Sequence, residues 1–317
     1  MTKNSLLTLA KVVFALALIF WLYNSGKLNF APLRSLIKTP HLILASVFLF
    51  ISQIFLGAIR WKIIVEMKSQ QKLNLFSIFK VQWIGTFFSS ALPGVVTGDV
   101  MKLSYIKKMD AHLNNSFLLF SILFDRILGL AGLIILAAFS SLVFYSDLMA
   151  LNQNLSHIIF INMILLLGTL VFILFFYLPN TFIYKITSIF KISKDNKFLN
   201  ALIHIKNQKN ALFIAIFLSV ISHVISVFCF HLINQSFYET PITFLNLLSV
   251  LPIGQIATAL PISPAGLGVG HVAFEKLFTY FHHTNGATLF NNVWLIVVLT
   301  NLFGVVPFLL GQIKSHK

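Results

Sequence analysis

Long apolar runs, separated by short polar and mostly basic segments, dominate the chain. A spanning helix needs ~20 largely apolar residues. Six runs meet that length: Leu6 to Tyr23, Leu42 to Ile59, Phe117 to Tyr145, Ile158 to Leu178, Ala211 to Phe237 and Leu289 to Gln312. Lys3 precedes the first run, as in a signal peptide, but no A-x-A cleavage site follows, so the run reads as a membrane anchor. Two further apolar stretches are broken. Trp83 to Met101 contains Pro93, Gly94 and Gly98; Phe244 to Phe281 contains Pro252, Pro261, Pro264, Gly266, Gly268 and Gly270. Proline removes a backbone donor and glycine loosens a helix. At membrane depth such backbone survives only inside protein or beside a wet cavity. Both stretches are therefore expected to be re-entrant hairpins. The pattern predicts an all-α polytopic membrane protein, one transmembrane domain over residues 1–317, with six spanning helices and two hairpins.

The order is span, span, hairpin, span, and then the same again. The first hairpin enters from one side and the second from the other. Two inverted-topology halves follow, about 6–145 and 158–312, an architecture common among transporters. The hairpins also share an echo: Gly85 precedes Ala91-Leu92-Pro93, and Gly254 precedes Ala259-Leu260-Pro261, at nearly equal spacing.

Composition agrees. Of 317 residues, 58% are apolar and 10% charged, against ~25% charged in a soluble domain. Mean hydropathy is +0.90. A soluble enzyme, a disordered tail and a fibrous repeat are excluded. The net charge of +15 would suggest nucleic acid in a soluble protein, but this chain has too little polar surface to dissolve. The cations belong in loops facing anionic lipid, and no nucleic-acid partner is expected. With both termini cytoplasmic, 17 of the 23 Lys and Arg residues fall on the cytoplasmic side and 4 opposite, leaving Lys11 and Arg126 inside the membrane. A bacterial inner-membrane location is expected from this asymmetry and the resemblance described below. The single cysteine, Cys229, excludes a disulfide framework and a cysteine-ligated zinc site.

Asp125 and Arg126 are the sharpest candidates. With Ser116 as helix cap, Asp125 lies ~14 Å into its span, near the middle of a ~30 Å core. An intramembrane charge costs at least ~2.5 kcal/mol on insertion scales and needs a partner, a cavity or a task. Adjacent helical residues diverge, so the two do not simply pair with one another. Either Arg126 binds a phosphate that Asp125 orients, or the two fix interhelical packing. In the first hairpin, Gly94 and Gly98 are placed to present backbone N–H groups to an anion. Asp99 and Lys102 share a face there, as a headgroup contact or a solvated pair. In the second, Ser263 as cap and Pro264 at the first helical position start a helix whose positive end would favour an anion. Gly266, Gly268 and Gly270 serve either that ligand or close helix packing. No preceding strand supports a dinucleotide reading. His271 and Glu275 lie four apart, placed to share a proton or a packing hydrogen bond. Arg60-Trp61 reads as an interfacial anchor, with a lipid-phosphate contact as the alternative. His223 and His231 read as backbone-bonded membrane histidines, and His282-His283 have poor metal geometry. No nucleophile triad, HExxH or P-loop occurs, so no cofactor or metal is expected.

Four motifs together resemble the flippase-like family named for the transmembrane region of lysylphosphatidylglycerol synthase, over about Leu6 to Gln312. They are Arg60-Trp61, Pro93-Gly94-x3-Gly98-Asp99-x2-Lys102, Phe124-Asp125-Arg126-Ile127-Leu128-Gly129-Leu130, and Pro261 through Gly266-Leu267-Gly268-Val269. The chain departs from the family pattern at Thr97 and Lys102, where Gly and Arg are common, and at Asp125, where Glu is common. His271 also stands near where a Glu often follows. The last two departures are similar to a subgroup that accompanies envelope polysaccharide synthesis, which implies envelope glycosyltransferases as partners. The chain ends at Lys317 without the synthase's soluble aminoacyl-transfer domain, so lipid aminoacylation is not expected. The resemblance implies translocation of an anionic phospholipid or polyprenyl-phosphate-linked lipid between leaflets. Arg126, Lys102 and the hairpin ends would hold the phosphate. Rocking of the halves would alternate access, and Asp125, Asp99, Glu275 and His271 would be the proton carriers. The rival readings are a membrane-embedded enzyme or accessory subunit for glycosyl transfer to a lipid-linked sugar, and a structural assembly partner.

Overall fold

The computed structural model describes residues 39–92, 97–189, 196–259 and 268–311. The expected first span, Leu6 to Tyr23, lies outside the described residues, as do both hairpin tips with Gly94, Ser263 and Gly266. The described residues are helical throughout, joined by turns. In chain order the helices are α1 (Pro40–Glu66), α2 (Leu75–Ala91), α3 (Thr97–Met109), α4 (Asn115–Val143), α5 (Tyr145–Leu151), α6 (Leu155–Phe175) and α7 (Asn180–Ile189). Then come α8 (Lys197–Lys206), α9 (Lys209–Phe237), α10 (Phe244–Ala259), α11 (Val269–Thr279), α12 (Gly286–Leu302) and α13 (Val305–Leu310).

Five elements are long and apolar enough to cross a membrane: α1, α4, α6, α9, and α12 continued through α13. Each matches an expected span, with shifted ends. Pro40 opens α1, where its missing N–H costs nothing. That helix runs seven residues beyond Ile59, because Lys62 and Glu66 pair across one turn at 2.6 Å. The α4 cap is Asn114, whose side chain accepts from the Phe117 N–H at 2.7 Å, rather than the expected Ser116.

Both broken stretches form packed helix pairs, α2 with α3 and α10 with α11. In the first pair, Thr97 Oγ1 donates to the Phe88 carbonyl near the tip. At the open end, Gln71 Nε2 donates to the Met109 carbonyl. The two helices are thus antiparallel. Their crossing depends on glycine: a Cβ on Gly98 would lie 2.1 Å from the Gly85 carbonyl oxygen and 2.1 Å from Ser89 Oγ. Gly98 is there for close approach of the two helices. Gly98→Ala is expected to destabilise the protein by about 1–3 kcal/mol, as overpacking does, read as a lower melting temperature in detergent.

Helix α9 packs along α1 and α4; α10 lies against α4, and α12 against α1 and α2. Gly132 of α4 permits the close approach of α9, since its Cβ would sit 2.4 Å from Ser219 Cβ. Polar bonds also cross between α2 and α12. Trp83 Nε1 donates to the Thr300 carbonyl at 3.0 Å and Asn301 Nδ2 to Ser90 Oγ at 3.0 Å. Two apolar cores result. One joins α10, α11 and α12 to α9 and the tip-ward half of α2. The other joins the C-terminal half of α1 to α3 and the N-terminal halves of α2 and α4. Charged side chains are embedded in this second core.

Candidate functional site

Asp125 finds its counter-charge in Arg60. Arg60 Nε donates to Oδ1 at 2.6 Å and Nη2 to Oδ2 at 3.0 Å, a two-pronged pair. Its third nitrogen, Nη1, donates to Ser219 Oγ of α9 at 2.8 Å. The Arg60 and Asp125 side chains are 15% and 6% exposed. A guanidinium is planar and weakly hydrated, which suits it to a buried pair of this kind. The interfacial-anchor reading of Arg60-Trp61 is therefore corrected. Arg60 stands inside α1, and Trp61 is fully buried, donating its Nε1–H to Ser121 Oγ at 3.3 Å. Ser121 and Ser219 carry no sequence signal of their own. Arg60 carried a partial one: a buried acid demands an intramembrane base, and Arg60, directly after the run Leu42 to Ile59, is one of several cations in or beside apolar runs.

Asp99 gathers the next two cations. Arg126 Nη2 lies 2.5 Å from Asp99 Oδ2, and Lys102 Nζ 3.8 Å from Oδ1. The Lys102 ammonium also sits over the Trp61 ring, 5.2 Å from its centroid. Lys102 and Asp99 are largely buried, so this is no solvated pair. Asp125 and Arg126 diverge as expected, one toward α1 and the other toward α3. Five charged side chains from α1, α3 and α4 thus form one cluster of three cations and two carboxylates. In a medium of low dielectric, its excess of one positive charge favours an anion.

Arg126 differs from the rest in being 44% exposed. Leu119, Leu123 and Ile127 of α4 and Val100 of α3 are exposed around it. Positions 119, 123, 126 and 127 fall on one helical face. A cation therefore emerges from an apolar stripe at membrane depth.

The second pair of helices does not join this cluster. Gly268 has φ of +83° and gives its N–H to His271 Nδ1 at 3.2 Å. Its N–H therefore closes the start of α11 locally rather than serving an anion. His271 and Glu275 make no bond to each other. The Glu275 carboxylate accepts from the Asn285 N–H at 3.3 Å and the Ala287 N–H at 2.8 Å, capping α12. Glu275→Ala is expected to cost about 1 kcal/mol, the ordinary cost of a lost helix cap, measured by thermal unfolding with Glu275→Gln as the milder control. His223 behaves as read, its Nε2 bonded to the Gly129 carbonyl at 3.1 Å. No group of three or more metal-ligating side chains occurs among the described residues.

Five long apolar helices with charges buried between them define a multi-pass membrane protein. The chain belongs to the lysylphosphatidylglycerol synthase TM region family, whose model matches residues 8–311. Comparison with curated proteins and with solved structures returns no match.

Proposed function

We propose that the protein moves an anionic phospholipid or polyprenyl-phosphate lipid between leaflets of the bacterial inner membrane. The observation that carries this reading is the position of Arg126. An anionic headgroup carrying apolar tails is the ligand that matches a half-exposed cation in an apolar, lipid-facing stripe. The phosphate meets Arg126 with Lys102 behind it, while the tails stay along Leu119, Leu123 and Ile127. Asp99 holds both cations in place and is displaced in part when the phosphate arrives.

The arrangement of helices supports two inverted halves with re-entrant pairs. α10 packs on α4, and α2 packs on α12, so each pair leans on a span of the opposite half. Rocking of the halves about this interface provides alternating access. Neither clustered carboxylate is set up as a base for glycosyl transfer. Asp125 is held on both oxygens by Arg60, and Asp99 faces Arg126 and Lys102, so both carboxylates are already engaged by cations. The family's name supports a lipid as the substrate.

The test is reconstitution into liposomes carrying tail-labelled lipids, followed by chemical quenching of the outer leaflet. Protein-dependent exchange of anionic lipid, with little exchange of zwitterionic lipid, is expected. Chemical conversion of the lipid without exchange would overturn the reading.

A further inference from the structure

A cavity of about 320 Å³ lies between the two sets of helices, bounded by α1, α4, α9, α10, α11 and α12. That volume falls at the lower end of the ~300–1,000 Å³ range of small-molecule sites. It adjoins the charge cluster. Ser219, the acceptor of Arg60, stands one turn before His223 in the cavity wall, and Gln53 stands two turns before Arg60 on α1. Among the described residues the polar side chains lining it are neutral, Gln53, His223, Ser226, Gln255 and Thr258 among them, with no Asp, Glu, Lys or Arg.

Gln53 buries its amide nitrogen with no hydrogen-bond partner among the described residues, and the Gln255 amide oxygen has His223 beside it. Gln255 uses its other end to donate to Ser226 Oγ at 2.9 Å. Buried amide groups without partners are costly. A hydroxyl both donates and accepts, so it satisfies either amide whichever way each is turned. An ammonium would find no carboxylate here. A purely apolar group would leave the Gln53 amide nitrogen unsatisfied.

We propose that this cavity is a transit subsite for the uncharged, polyhydroxylated part of a lipid headgroup, a sugar ring or a polyol. The proposal deepens the translocase reading and rests on it. The test titrates the purified protein in detergent with dihexanoyl phosphatidylinositol, phosphatidylethanolamine and phosphatidic acid, following the ligand-dependent rise in melting temperature. The inositol lipid is expected to bind about tenfold more tightly than the other two, the effect of one or two well-made hydrogen bonds. Gln53→Leu with Gln255→Leu is expected to erase that difference and leave phosphatidic acid affinity unchanged. Should the double variant not fold, Thr258→Val and Ser226→Ala are expected to shrink the same preference. Equal binding of the three lipids, or a preference that survives these substitutions, would overturn the subsite. Preferential binding without exchange in liposomes would overturn the translocase reading and leave the subsite standing; exchange without headgroup preference would do the reverse.

Discussion

Arg126→Ala is expected to weaken binding of anionic phospholipid about 10- to 100-fold, the worth of one charge-assisted contact, and to stop its exchange between leaflets. The fold should survive. Arg126 is half exposed and its pair with Asp99 is partly solvated, so the loss of stability should stay within about 1 kcal/mol. The substitution leaves Lys102 and Arg60 to balance the two carboxylates, and the excess positive charge disappears. Arg126→Lys should fall between the two proteins, because an ammonium keeps the charge but lacks the planar fork that grips a phosphate on two oxygens. Binding is read by titration of tail-labelled lipid in detergent, and exchange in liposomes. Undiminished binding by Arg126→Ala would move the phosphate away from this face.

Arg60→Ala should act differently, through the fold. It strips Asp125 of both its hydrogen-bond donors while the carboxylate stays buried, and removing one partner of a buried pair costs about 3–5 kcal/mol. That is a large share of the 5–15 kcal/mol by which proteins are ordinarily stable. A severe drop in melting temperature, or failure to accumulate in the membrane, is expected. Arg60→Met combined with Asp125→Leu removes both charges and should recover most of the loss, since apolar replacements of a buried pair are often neutral or better. The double variant separates the fold from function. Restored stability with lost exchange would give the pair a working role beside its packing one. A single variant as stable as the native protein would contradict the assigned pair.

The spans were legible because a helix in lipid must be long, apolar and internally hydrogen-bonded. Their ends were less so. The expected second span stops at Ile59, before the charges of Arg60 and Lys62, yet the Lys62–Glu66 pair and the bond from the Leu73 N–H to Glu66 Oε1 keep the following residues ordered. The short helices α7 and α8 fall between the expected spans Ile158 to Leu178 and Ala211 to Phe237 and are too short to show as apolar runs. Asp125 was legible as a charge that needs a partner. The partner stands 65 residues away, and only the packing of α1 on α4 selects Arg60 from the other cations. Spacing misled where the backbone competed. His271 and Glu275 share a helical face, but the open N–H groups at the start of α12 claim the Glu275 carboxylate first. Gly98 was ambiguous for a related reason, since a glycine that frees a backbone for a ligand looks the same in sequence as one that lets two helices touch.

Photo-crosslinking in nanodiscs tests the account most directly. Phospholipids with a diazirine in one tail, identical except for an anionic or zwitterionic headgroup, are irradiated with the native protein and the adducts mapped. Adducts of the anionic lipid should concentrate on Leu119, Leu123, Ile127 and Val100 and fall to the zwitterionic level in Arg126→Ala. Equal labelling of this face by both lipids in the native protein would contradict a lipid-phosphate site at Arg126.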